Sequence, residues 1–219
     1  MKRPIAALRE IILSVTSSTT LPVAHVTAEQ VAGWLDAGAT VILPTETVYG
    51  LAVKAGLSAS AQRVFELKGR PDTFNLPVVI GDVAQLESLG LDFNETARAL
   101  ARRFWPGPLT IVMGFAADRP RPSWLDGRDE VAIRFPEPQL LRDVARVAGP
   151  LLMTSANRHG AGATSVAQEA AGSLNGHADY VVDGGTLSPV PSTIVNVRVS
   201  PARVERLGAI TAEELAEFI

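Results

Sequence analysis

The stretch Thr40-Val41-Ile42-Leu43-Pro44-Thr45-Glu46-Thr47-Val48-Tyr49-Gly50-Leu51-Ala52-Val53-Lys54 holds two short apolar runs around a polar centre. Thr40 to Leu43 and Leu51 to Lys54 are too short for helices and predict two strands, the first of them fully buried. Ser58 to Leu67 (SASAQRVFEL) follows with helical spacing of Val64, Phe65 and Leu67, and Ser58 is the expected N-cap. Gly69 and Pro71 end that helix, so Lys68 and Arg70 project from its exit turn. Alone, such a pair is accounted for by offsetting the helix dipole.

Outward from this segment, strands and helices mix without strict alternation. Thr27 to Gln30 fits a capping box and opens a helix that ends near Gly38. Pro77 to Ile80, Leu109 to Phe115, Val131 to Arg134, Leu151 to Thr154, Tyr180 to Val182, Ser192 to Val197 and Val204 to Leu207 read as strands. Helices are expected from Asn94 to Phe104, from Leu140 to Val147, after a cap at Ser165, and after a capping box at Thr211 and Glu214. The Pro-, Arg- and Asp-rich residues 116–129 predict a mobile loop. The fold class is α/β, a single domain with a mixed sheet. Residues 1–20 read as an N-terminal extension, a short amphipathic helix and then a Ser/Thr run, with the domain proper at 21–219.

Composition narrows the function classes. With 219 residues and 47% apolar content, the chain can bury a sizeable core. A net charge of −3 argues against a general nucleic-acid coat or a polybasic membrane binder, so any anion site must be a local cluster. The absence of cysteine removes disulfides, thiolate nucleophiles and thiolate zinc sites, and is compatible with the expected cytoplasmic location. Met1-Lys2-Arg3 resembles the start of a signal peptide, but Arg9 and Glu10 interrupt the apolar run; no membrane association is expected. His25, His159 and His177 lack metal-ligand spacing, and no protein-held metal is expected.

Four polar clusters fall at strand ends or in the loops after them, where open α/β sheets gather ligands. In Pro44 to Gly50, two threonines, a carboxylate and a phenol suit a small polar substrate, or else satisfy their own turn. Lys68 and Arg70 form the second cluster. In Met153 to Arg158, Ser155 and Asn157 would share one side of an extended backbone, though an Asx or Ser turn explains them equally. The fourth runs from Asp183-Gly184-Gly185, taken as a hairpin, through Ser192 to Arg206. No G-x-x-x-x-G-K-[ST] loop and no G-x-S-x-G elbow occurs.

In order along the chain, PTETVYGL (44–51), the K-x-R-P turn (68–71), FWPGPLT (104–110), VAIRFP (131–136), the S-x-N of TSAN (155–157), DGG (183–185), STIV (192–195) and R-x-G-x-I (206–210) resemble the YrdC-like family. Its best-understood members are threonylcarbamoyl-AMP synthases. The resemblance covers about Val23 to Ile210 and fits the short, single-domain form. It implies a twisted mixed sheet with flanking helices around a deep basic cavity. It also implies an L-threonylcarbamoyladenylate synthase, a nucleotidyltransferase that uses ATP, L-threonine and bicarbonate, with Mg2+ bridging phosphates. The product would feed a tRNA-modifying transferase complex making threonylcarbamoyladenosine.

Carried over by motif, Lys68 and Arg70 would be catalytic, and Thr45, Tyr49 and Arg70 would hold threonine. Lys68, Arg134, Ser155, Asn157, Ser192 and Arg206 would line the nucleotide side. The chain departs from the pattern after Pro71: Asn75 stands where the family usually has proline, and Val79 near its histidine. The alternative is a non-catalytic RNA-binding or ribosome-assembly module of the same fold, with weak binding of double-stranded RNA. A paralogue with another carbamoyl acceptor, as in hydrogenase maturation, is expected in much longer chains.

Overall fold

The computed structural model describes residues 17–71 and 75–219. Its strands are β1 (Thr19–Pro22), β2 (Val41–Leu43), β3 (Gly50–Lys54), β4 (Val78–Val79), β5 (Leu109–Met113), β6 (Val131–Arg134), β7 (Leu151–Ser155), β8 (Tyr180–Asp183), β9 (Thr193–Asn196) and β10 (Arg203–Arg206). The helices are α1 (Ala28–Asp36), α2 (Ser58–Lys68), α3 (Gln85–Ser88), α4 (Glu95–Phe104), α5 (Gln139–Val147), α6 (Ala167–Gly172) and α7 (Ala212–Leu215). All strands join one ten-stranded twisted sheet in the order β1-β8-β2-β3-β7-β4-β6-β5-β9-β10. Parallel pairs (β1/β8, β2/β8, β4/β6, β5/β9) mix with antiparallel ones, as the non-alternating element order predicts.

Alternate strand residues feed two cores, one on each face of the sheet. Ile42, Leu51, Val53, Ile111, Ile133 and Val195 pack beneath α2, α4 and α6. Val41, Leu43, Ala52, Val79, Leu151 and Val182 pack beneath α1 and α5. Helix α1 supplies Val31, Ala32 and Leu35, and α5 supplies Leu141, Val144 and Ala145. Full burial of one such leucine contributes about 1.5–3 kcal/mol. The β5, β9 and β10 end of this second face carries polar residues instead, and that change of character opens room for a site.

Several local expectations are corrected. Leu57, not Ser58, is the N-cap of α2, because the Ala61 N–H already reaches the Leu57 carbonyl at 3.0 Å. Val166, not Ser165, precedes α6; the Ser165 carbonyl instead accepts from Leu187 N–H at 2.8 Å. Thr19 and Thr20 lie in edge strand β1, paired with β8, so the boundary drawn at residue 20 falls inside a strand. The helix expected ahead of them lies outside the described residues. Residues 116–129 are fastened: Leu125 is buried, and the Arg121 guanidinium lies 4.4 Å from the Phe115 ring centre. Arg128 Nη1 ties the same loop to the Leu76 carbonyl at 3.3 Å. Among the described residues, no helix is long and apolar enough to cross a membrane.

Candidate functional site

Register brings the site together. Val79 pairs with Arg134, Arg134 with Thr110, Thr110 with Ile194, and Ile194 with Arg206, a lateral row across β4, β6, β5, β9 and β10. The neighbouring row, Val78, Ile133, Ile111, Val195 and Val204, points to the opposite core. The polar row floors a cavity of about 500 Å³. Its walls come from Thr45 and Val48, from Lys68 and Arg70, and from the loop after β7, from Ser155 to Ala163. The lining includes Lys68, Arg70, Arg134, Arg158 and Arg206, and among the described residues no aspartate or glutamate.

Lys68 reaches the cavity because α2 stops abruptly. Gly69 takes a left-handed φ of 58°, and the Gly69 and Arg70 N–H groups fold back on the Glu66 and Phe65 carbonyls. The Lys68 ammonium then donates to the Ser155 carbonyl at 2.5 Å and the Asn157 carbonyl at 2.7 Å. It serves the loop after β7 rather than its own helix end, so the dipole-cap reading gives way. Its side chain is buried, and burial first, then the nearby Arg70 charge, pushes its pKa down to about 8. Burial also lowers the Arg70 and Arg206 values, Arg206 further through Arg134, but a guanidinium stays charged.

Asn157 is buried beside Lys68, and its Nδ2 donates to the Arg158 and Ala161 carbonyls at 2.9 and 2.6 Å. Its Oδ1 is buried without a hydrogen-bond partner among the described residues, in a residue that lines the cavity. Of the two readings left open for Ser155 and Asn157, the structure favours a turn, with Asn157 N–H on the Ser155 carbonyl at 3.0 Å. Both residues nevertheless line the cavity. On the far wall, Arg206 holds the Ser192 carbonyl through Nε and Nη2 at 3.1 and 2.8 Å, and the Ser192 hydroxyl lies 3.0 Å from that of Thr110.

The structure thus brings Thr45, Lys68, Arg70, Arg134, Ser155, Asn157, Ser192 and Arg206 to one cavity, and leaves Tyr49 out of its lining. The Tyr49 hydroxyl donates to the Gly185 carbonyl at 2.6 Å and accepts from Gly184 N–H at 3.0 Å. Burial pushes the phenol's pKa up, so it remains a neutral donor. Asp183-Gly184-Gly185 is therefore no hairpin: β8 lies between β1 and β2, and the glycine turn docks on Tyr49. Thr45 lines the cavity, yet its hydroxyl is engaged by the Val48 carbonyl and by the Thr47 and Val48 N–H groups. Tyr49→Phe is expected to lower stability by about 1–2 kcal/mol by leaving the Gly184 N–H and Gly185 carbonyl without their partner, checked by thermal melting.

Sequence reading missed Thr110, Arg158 and His159 as lining residues. Thr110 carried a signal, a hydroxyl inside an otherwise apolar strand. His159 was set aside for lacking metal spacing, but its N–H on the Lys68 carbonyl at 2.8 Å brings it to the cavity edge. The altered segment after Pro71 reaches the same cavity through Asn75 and Val79, while residues 72–74 lie outside the described residues.

This fold and this motif-built cavity define the class. The chain matches the family model described as Telomere recombination (Sua5, YciO and YrdC) over residues 34–208, and it belongs to that family. Among its relatives, the threonylcarbamoyl-AMP synthase of Bacillus subtilis (strain 168) is 36% identical over 192 residues, 87% of this chain and 56% of that protein. The putative threonylcarbamoyl-AMP synthase of Mycobacterium tuberculosis (strain CDC 1551 / Oshkosh) is 31% identical, covering 85% of this chain and 86% of that one. The crystal structure of P. abyssi Sua5 complexed with L-threonine superposes with a TM-score of 0.78 at 32% identity, covering 93% of this chain and 60% of that one. The chain spans just over half the length of the Bacillus relative.

Proposed function

We propose that this domain forms threonylcarbamoyl-AMP and pyrophosphate from ATP, L-threonine and bicarbonate. The observation that carries the reading is the convergence of Lys68, Arg70, Arg134 and Arg206 with Asn157 and Ser192 on one cavity, with no lining carboxylate among the described residues. The relatives named as synthases, and the threonine-bound Sua5 structure, support it over a non-catalytic RNA-binding module. In this reading the domain is a nucleotidyltransferase that supplies its adenylate to a tRNA-modifying transferase complex. A cytoplasmic location goes with those substrates.

The chemistry asks for electrostatics more than for a base. Threonine's ammonium and bicarbonate give a carbamate, water and a proton. A carbamate oxygen attacks the α-phosphorus, the bond to the bridging oxygen breaks, and pyrophosphate leaves. Bringing an anion to a polyphosphate needs preorganised positive charge away from bulk water. Arg70 is assigned a forked contact to carboxylate or phosphate, and Lys68 a compact charge near the reacting oxygens. Two of the lysine's donors are spent on carbonyls, which leaves the third with a fixed direction. Arg134 and Arg206 of the floor row, with Ser192, are assigned the nucleotide side.

Among the described residues, the lining does not fit a protein-held magnesium ion: none of them brings a carboxylate to the cavity, and no group of three His, Asp or Glu is placed to hold a metal. Amino-acid choice is assigned in part to Asn75 and Val79, the altered positions that reach the cavity. Pyrophosphate release tests the proposal: it is expected to require threonine and bicarbonate together. Release that ignores either one contradicts it.

A further inference from the structure

The polar centre of Pro44 to Gly50 contains a group that the proposed chemistry leaves unused. Glu46 is largely buried, with 11% of its side chain exposed, and it is not part of the cavity lining. Neither carboxylate oxygen accepts a hydrogen bond from the described residues. Its Oε1 nevertheless lies 3.0 Å from Arg134 Nη2, whose own hydrogen bond goes to Thr47 Oγ1 at 2.7 Å. Thr47 is fixed in turn, its hydroxyl 2.9 Å from that of Thr45 and its N–H on Thr45 Oγ1. A buried carboxylate with unmet acceptors is expensive and calls for a reason.

Arg134 supplies that reason. It sits in the cavity's floor row, between Val79 and Thr110, and its charge is felt by Arg206. A guanidinium in a half-buried cationic cavity would swing away from its neighbours unless something behind it balanced its charge. We infer that Glu46 is a positioning residue for Arg134: from behind the floor it fixes the guanidinium, with Thr47, in the pose that meets the nucleotide. Within the cluster that reads as a substrate-binding loop, Glu46 and Thr47 thus act on an arginine in a distant strand.

This inference rests on the proposed nucleotide site, and a double-mutant cycle tests it. Binding of a non-hydrolysable ATP analogue, and kcat and KM for ATP and threonine, are measured for wild type, Glu46→Gln, Arg134→Gln and the double variant. Each single change is expected to raise the analogue Kd and the ATP KM by about tenfold or more, the double variant being no worse than Arg134→Gln alone. The threonine KM is expected to stay within about threefold of wild type. Effects that multiply in the double variant, or a threonine KM that rises as much as that for ATP, overturn the inference.

If Glu46→Gln fails to fold because a lone cation is left buried, Thr47→Ala reads the same arrangement. It is expected to weaken analogue binding in wild type and to do nothing further with Arg134→Gln; weakening in both backgrounds overturns the inference. A wild-type protein that binds the analogue with this coupling but makes no adenylate would sink the synthase reading and leave the positioning role standing. Failure of wild type to bind the analogue overturns both.

Discussion

If the proposed synthase reading holds, Lys68→Ala is expected to lower the rate of threonine-dependent pyrophosphate release by about 10²-fold or more, the scale of deleting one preorganised electrostatic contact, and so is Arg70→Ala. Lys68 has two tasks. Its ammonium meets the cavity, and it also holds the Ser155 and Asn157 carbonyls, so the alanine variant frees the loop that carries Asn157. Near-normal rates in both variants would remove these residues from the reacting centre. The pH dependence is a second signature. With its pKa pushed down to about 8, Lys68 loses its charge in the free enzyme above that pH, and kcat/KM is expected to fall there. A bound polyphosphate favours the cation, so the limb in kcat lies at higher pH.

The stability effect of the same group has the opposite trend. The folded pKa lies below the unfolded value of 10.5, so the folded state holds fewer protons between about pH 8 and 10.5 and gains relative stability as pH rises through that window. Below it the buried ammonium costs the fold about 3 kcal/mol. In Lys68→Ala that rise is absent, which denaturant melts across the window would show.

Gly208→Ala is the second large effect. A Cβ at Gly208 would lie 2.2 Å from the Pro191 carbonyl oxygen and 2.6 Å from the Ser192 carbonyl carbon, both backbone atoms that cannot rotate aside. The chain after β10 would have to lift from the segment before β9, breaking the Gly208 N–H bond to Thr193 Oγ1 and the Arg206 bonds to Ser192. A loss of about 2–4 kcal/mol is expected, as for other forced backbone shifts, with weakened nucleotide binding. Gly33→Ala, inside α1 with nothing near its would-be Cβ, should instead raise stability by about 0.5–1 kcal/mol. Equal melting temperatures for Gly208→Ala and wild type would contradict this account of the wall.

The difference between Gly208 and Tyr49 shows what the sequence could convey. Strands such as β5 and β7 were legible, to within two residues at their ends, because apolar runs of that length have few other uses. Capping at Asn94 and Thr211 was legible because the bonds are three residues long. Strand order was not, since β3 meets β7 and β5 meets β9 only through pairings far apart in the chain. For the same reason the row from Val79 to Arg206 is invisible until register is known. Motif order singles out Lys68 and Asn157, which line one cavity, but does not reveal that the lysine, 87 residues before Ser155, is bonded to its carbonyl. The place of Tyr49 beside the glycine turn, outside the cavity lining, was not legible, because a phenol that binds a glycine turn and one that binds a ligand read alike. Glu46 was grouped with its neighbours, whereas its partner Arg134 lies in another strand.

The most direct test of the central claim is the identity of the adenylate made from ATP, L-threonine and bicarbonate, read by mass spectrometry. The account predicts threonylcarbamoyl-AMP, formed only when all three are present and lost in Lys68→Ala and Arg70→Ala. Threonyl-AMP formed without bicarbonate, or ATP left unchanged, would contradict it.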